Sequence, residues 1–223
     1  MKRRLVALTG ATLALAALAG GCYWLIGGEE HRRKEAIAKH TATAQLHEAA
    51  GNYEGAADEY RALIELAPRL AEAYQGLGDN LNRLGRYAEA AAAYRKAVEL
   101  DANVYAYHFN LGVALARNSQ AVEAAAAFEK AAALKPKAAE PYIYWGSALR
   151  DAGDYPGSAA ALARALVAEP DNTFAHLNLA MTLEYTDPGR AVGEWEKVRN
   201  APDAEPAWRE LAAERLRVLR PEE

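Results

Sequence analysis

Between Ala71 and Pro170 the apolar residues fall three and four places apart, and the whole pattern returns every 34 residues. Aligned, three windows read Tyr74-x-x-Leu77-Gly78-x-x-Leu81, His108-x-x-Leu111-Gly112-x-x-Leu115 and Tyr142-x-x-Trp145-Gly146-x-x-Leu149. Counted from the start of each unit, positions 4, 7 and 11 share one face of a helix. After each window comes a small residue with a larger one four places on: Ala90 with Tyr94, Ala124 with Phe128, Ser158 with Leu162. That spacing predicts a second helix in every unit. Glycine at position 8 of the first helix lets the second approach closely, and its larger residue packs there. Each unit closes near Ala102, Pro136 or Pro170, and in the last two proline cannot continue a helix. A single hairpin of this kind leaves one apolar face uncovered, so the hairpins are expected to stack.

The pattern resembles the tetratricopeptide repeat, a helix-turn-helix unit of this length. The resemblance implies an all-α helical-hairpin solenoid of about five repeats over residues 37–203, divided as 37–70, 71–104, 105–138, 139–172 and 173–203. The first unit keeps Gly51, Tyr53, Ala56, Tyr60 and Pro68 in register, but His40, Thr43, Ala44 and His47 occupy the signature places of its first helix. The fifth is one residue short, the loss falling around Thr186-Asp187-Pro188-Gly189. Residues 204–223 form a capping helix, with Trp208, Leu211, Ala212, Leu216 and Leu219 on one side. No alternating strand pattern lies between turn signals, so helix is expected throughout.

Ahead of the repeats, Leu5 to Ile26 runs 22 residues without a charge behind Lys2, Arg3 and Arg4. As a helix this spans roughly 33 Å, enough for a bilayer core. The basic head keeps that end in the cytoplasm and sends the repeats outward, to the periplasmic side of a bacterial cytoplasmic membrane. Three readings of residues 1–28 compete: an uncleaved single-pass signal anchor, a lipoprotein signal acylated at Cys22, and a cleaved secretory signal. Leu18-Ala19-Gly20-Gly21-Cys22 resembles a lipobox, with Ala19 where leucine is commoner. Tyr23-Trp24-Leu25-Ile26 continues the apolar run where a lipidated cysteine is usually followed by a polar tether, which favours the anchor. Gly27-Gly28 then breaks the helix, and residues 29–36 make a mixed-charge linker.

The formal charge is −4; with the three leading basic residues set aside, 23 remain against 30 acidic ones. Nucleic-acid binding needs a basic face, and this balance argues against it. With one cysteine, no intramolecular disulfide forms. No phosphate loop, nucleophile elbow or metal-spaced cluster stands in the sequence. His40, His108 and His176 hold the same place in alternate repeats, hence in separate layers, too far apart for one metal ion. We therefore expect no enzyme activity, no cofactor and no metal.

What remains is a binding surface. The resemblance implies that first helices line a concave groove, with positions 2, 5, 6, 9, 12 and 13 pointing into it. Those places carry Phe109, Ile143 and Leu177, with Val113 and Met181, as an apolar stripe. Beside it come Asn82, Asn110, Tyr144 and Asn178, and a ladder of Arg83, Arg117 and Arg150. Such a groove suits a partner protein's segment with apolar anchors and acidic residues. Asn110 and Asn178 match single places of the family's two-carboxylate clamp, but its lysines are missing, so that function is not carried over. The expected role is a membrane-tethered protein–protein interaction scaffold. The alternatives are a permanent accessory subunit of a membrane complex, or an assembly-factor lipoprotein of the pilotin or cytochrome c maturation kind.

Overall fold

The structure, a computed structural model, describes the backbone of residues 6–220 and the side chains of residues 28–220. Among the described residues it is eleven α-helices and no strand, divided into two compact units, residues 1–69 and 70–223.

The first unit pairs α1 (Val6–Ala49) with α2 (Tyr53–Leu66). Ala44, Ala56 and Ala57 are fully buried, and Asn52 caps α2 by accepting from the Gly55 amide at 3.0 Å. The stretch expected as a linker, residues 29–36, is helical. Its charges fall four apart, Glu30 with Lys34 at 2.8 Å and His31 with Glu35 at 3.3 Å, which supports a helix rather than a break. Arg33 Nε also donates to the Leu66 carbonyl at 2.8 Å, tying this turn to the end of α2. A helical glycine such as Gly28 costs only ~1 kcal/mol, which these contacts offset. The side chains of the expected anchor or lipoprotein signal, Cys22 among them, lie outside the described residues. Among those described, no helix is long and apolar enough to cross a membrane.

The second unit holds four hairpins: α3 (Ala71–Arg83) with α4 (Tyr87–Leu100), α5 (Tyr105–Arg117) with α6 (Ala121–Leu134), α7 (Ala139–Asp151) with α8 (Tyr155–Ala168), and α9 (Thr173–Leu183) with α10 (Pro188–Asn200). The helix α11 (Pro206–Leu219) closes it. Each position-8 glycine meets the large residue of its partner helix. A Cβ on Gly78 would stand 2.7 Å from the Tyr94 ring, on Gly112 2.7 Å from Phe128, and on Gly146 2.6 Å from Leu162. No side chain fits at those distances. In the last hairpin Ala180 takes the glycine's place, and Trp195, 1 % exposed, takes that of the aromatic residue.

The turn between helices needs a left-handed residue, and the positions with positive φ repeat at the period: Gly51, Gly85, Ser119 and Gly153. Glycine adopts that conformation without strain; Ser119, at φ +60°, does not. The shortened fifth turn has no such residue. There Asp187 accepts from the Arg190 amide at 3.1 Å, and Pro188 opens α10. Ala212 and Leu216 of α11 are buried with Trp195 and Val198 of α10, and Trp208, Leu211 and Leu219 pack on the same core.

Candidate partner-binding face

The first helices α5, α7 and α9 pack side by side, and this decides which of the expected groove residues reach the surface. Ile143 and Leu177 are buried, 4 % and 6 % exposed, in the core that α7 to α11 share. The side chain one position further on, Tyr144, is 38 % exposed. Phe109 is half-buried in an aromatic group with Tyr105, Phe128 and Tyr144, ring centres 5.1–5.6 Å away. Val113 is half-buried against the same core. The expected apolar stripe is thus chiefly a seam between neighbouring first helices, open at Tyr144.

The polar residues of the face split likewise. Asn110 Nδ2 donates to Asp79 Oδ1 at 3.1 Å, and the Tyr94 hydroxyl donates to the same oxygen at 2.6 Å. Burial, together with the Asp79 charge, pushes the Tyr94 hydroxyl well above its ordinary pKa, so it stays a donor. Asn178 is buried, giving Nδ2 to the Phe174 carbonyl at 2.8 Å and accepting from Arg150 at 3.0 Å. Arg150 also reaches Ser147 at 3.2 Å, Asp151 at 3.4 Å and the Met181 sulfur at 3.8 Å. Arg117 is exposed, with Asn82 Oδ1 at 3.5 Å and the Tyr87 ring centre 5.7 Å away. Arg83 is exposed too. The arginine ladder is therefore uneven: Arg150 is locked between α7 and α9, while Arg83 and Arg117 lie at the surface.

Tyr105 and Arg215 were not among the expected site residues. Tyr105 donates to Glu140 at 3.0 Å and carries Lys135 Nζ 3.7 Å from its ring centre. Beside Arg150 and Met181, Glu184 accepts from Trp195 Nε1 at 2.7 Å and pairs bidentately with Arg215 of the capping helix. These five residues, with Tyr185 and Leu211, line a pocket of about 310 Å³. Arg215 comes from outside the repeat, so no periodic comparison points to it.

Each of these three histidines is held by its own hairpin or by the loop that enters it. His40 Nδ1 meets Glu59 at 2.6 Å, His108 Nε2 meets the Ala102 carbonyl at 3.0 Å, and His176 bridges Glu194 at 2.6 Å and the Pro170 carbonyl at 2.9 Å.

The tetratricopeptide repeat family profile matches residues 41–104, 76–139 and 145–185. The chain belongs to the tetratricopeptide repeat family. Solved tetratricopeptide structures resemble it at the level of fold. A MamA protein is 20% identical with a TM-score of 0.70, covering 81% of this chain and 95% of its own. MamA residues 41-end from Desulfovibrio magneticus RS-1 is also 20% identical, at a TM-score of 0.69, with 76% and 98% covered. YrrB, described as a TPR protein with an unusual peptide-binding site, is 22% identical at a TM-score of 0.68, covering 77% and 88%. Among curated proteins no match is found.

Proposed function

We propose that this tetratricopeptide repeat protein is a non-enzymatic scaffold that holds a segment of a partner protein against its first helices, tethered to the outer face of the bacterial cytoplasmic membrane. The observation that carries the reading is the exposed row of Arg83 on α3, Arg117 on α5 and Tyr144 on α7, with Asn82 beside Arg117. Guanidinium groups at the same place of successive repeats, with an amide beside them and a phenol on the next first helix, suit an extended segment with acidic residues and an apolar anchor. YrrB, a tetratricopeptide repeat protein with a peptide-binding site, supports peptide recognition as a use of this fold. The partner-binding set narrows to Asn82, Arg83, Arg117 and Tyr144; Phe109, Asn110, Val113, Ile143, Arg150, Leu177, Asn178 and Met181 support it from the seam.

The tether is residues 5–26 as a span, or a lipid on Cys22; intact-mass measurement separates them, because acylation leaves a processed chain beginning at Cys22. The test of the scaffold is gentle detergent extraction of the full chain from its native membrane, followed by mass spectrometry of co-purifying proteins. An Arg117→Glu, Tyr144→Ala variant is expected to lose a partner that the wild type retains. Retention of every partner by the folded variant overturns the proposed face.

A permanent accessory subunit is the second reading. The exposed Val122, Ala126 and Ala133 on α6 favour it, since they offer an apolar outer surface for packing. Recovery in one fixed ratio that survives Arg117→Glu, Tyr144→Ala supports this reading instead.

A further inference from the structure

The repeats differ in how they close the cleft between the loop that enters a hairpin, position 4 of its first helix, and its second helix. In the third repeat His108 reaches back to the Ala102 carbonyl, and in the fifth His176 reaches back to that of Pro170. In the fourth, position 4 is Tyr142, whose hydroxyl makes no hydrogen bond among the described residues; the loop opposite carries Lys137 where its neighbours have Asn103 and Asp171.

The second helix differs as well. Lys96 of the second repeat donates to Glu99 three residues on at 2.6 Å, and Lys197 of the fifth pairs with Glu194 at 2.9 Å. The equivalent cation in the fourth repeat is Arg164, and the residue three places on is Val167, which is 84 % exposed. Arg164 has the Tyr142 ring centre 6.0 Å away and no carboxylate partner; Lys137 has none either among the described residues. These three donors line a pocket of about 710 Å³ with Pro136, Val167 and Ala168, and no acidic side chain joins them.

We propose that this pocket is a second docking site, taking an acidic side chain of a partner protein together with an adjacent apolar side chain. Side-chain donors without a side-chain acceptor, over an apolar wall, complement a carboxylate attached to a hydrophobic neighbour. Val167, Lys137 and Arg164 are all exposed, so the site is a shelf open along one side. A shelf buries too little of a free small molecule, whereas it fits two side chains of a chain lying across it. The net charge of −4 disfavours attraction to an anionic bilayer. Tyr142 and Tyr144 are two residues apart on α7 and do not share a face, so the pocket is independent of the row of Arg83, Arg117 and Tyr144.

The test probes an array of end-blocked heptapeptides, with randomised central positions, using detergent-solubilised full chain. Wild type is expected to enrich peptides with Asp or Glu next to Leu, Ile, Val or Phe. The enrichment should fall at least tenfold in Lys137→Ala, Arg164→Ala, and equally in Val167→Glu, which supplies the acid that Glu99 gives Lys96. It should persist in Glu210→Gln, an exposed substitution on α11 outside both faces. All of these substitutions lie on exposed side chains, and circular dichroism verifies that the variants remain helical. Absence of enrichment, equal enrichment in the pocket variants, or an equal fall in Glu210→Gln overturns the proposal. So does a result in which phosphatidylglycerol vesicles, and not peptides, bind in a Lys137- and Arg164-dependent way.

Discussion

Ser119 is the one non-glycine residue with positive φ among those described, at a place where three other repeats carry glycine. A left-handed L-residue costs ~1–2 kcal/mol, and glycine there loses ~0.5–1 kcal/mol of that advantage to its greater freedom when unfolded. Ser119→Gly is therefore expected to stabilise the protein by about 0.5 kcal/mol, raising Tm by about 1–2 °C in calorimetry. Gly85→Ala, at φ +76° with nothing within 4 Å of the added Cβ, tests the same strain with the opposite sign. It should lower Tm by about 2–4 °C for each ~1 kcal/mol of strain. A neutral Gly85→Ala would show that the turn relaxes away from the left-handed region.

Within the hairpin, the contact of Gly112 with Phe128 joins one helix to the other. Adding a methyl at Gly112 forces the helices apart or the ring out of place, costing ~1–3 kcal/mol, and Phe128→Ala costs ~3–5 kcal/mol. In the double variant the new methyl occupies space the ring has left, so the combined loss should fall short of the sum by at least ~1 kcal/mol; additive losses in denaturant melts would mean the two side chains are not coupled. The last hairpin carries a second kind of fastening. Burial alone would raise the Glu194 pKa, but hydrogen bonds from His176 and Lys197 outweigh it and hold the carboxyl below its ordinary value of 4.5. A depressed carboxylate contributes stability that is present above the unfolded value and lost as pH falls through the folded one. The stability gap between wild type and Glu194→Gln should thus be full at pH 7 and shrink below about pH 4.5. A gap that stays constant down to pH 3 would remove Glu194 from the acid transition. The hairpins were legible in the sequence because glycine at position 8 and its large partner lie at fixed spacing within one unit. The face was less legible: whether Ile143 or Tyr144 reaches the surface depends on how closely α5, α7 and α9 lie together, which no single helix encodes. The helical residues 29–36 were missed because a glycine pair read as a break outweighed pairs of charges four apart.

In the second unit as a whole, each hairpin packs on the next in sequence, and among the described residues α10 packs chiefly on α9 and α11. Such an array is stabilised hairpin by hairpin and interface by interface, so damage at one end should stay near that end. Deleting residues 204–223 strips Ala212, Leu216, Trp208 and Leu211 from the core that holds Trp195, and takes Arg215 from Glu184. Glu184 would then be a half-buried carboxylate with only the Trp195 indole as donor, an added cost to the same hairpin. In native-state hydrogen exchange, α9 and α10 of the truncated chain should lose most of their protection, while α3 to α6 keep theirs. The exposed Trp195 should also shift its fluorescence to the red. Equal loss of protection from α3 to α10 would show instead that the unit unfolds as one block, with the cap stabilising all four hairpins rather than the last.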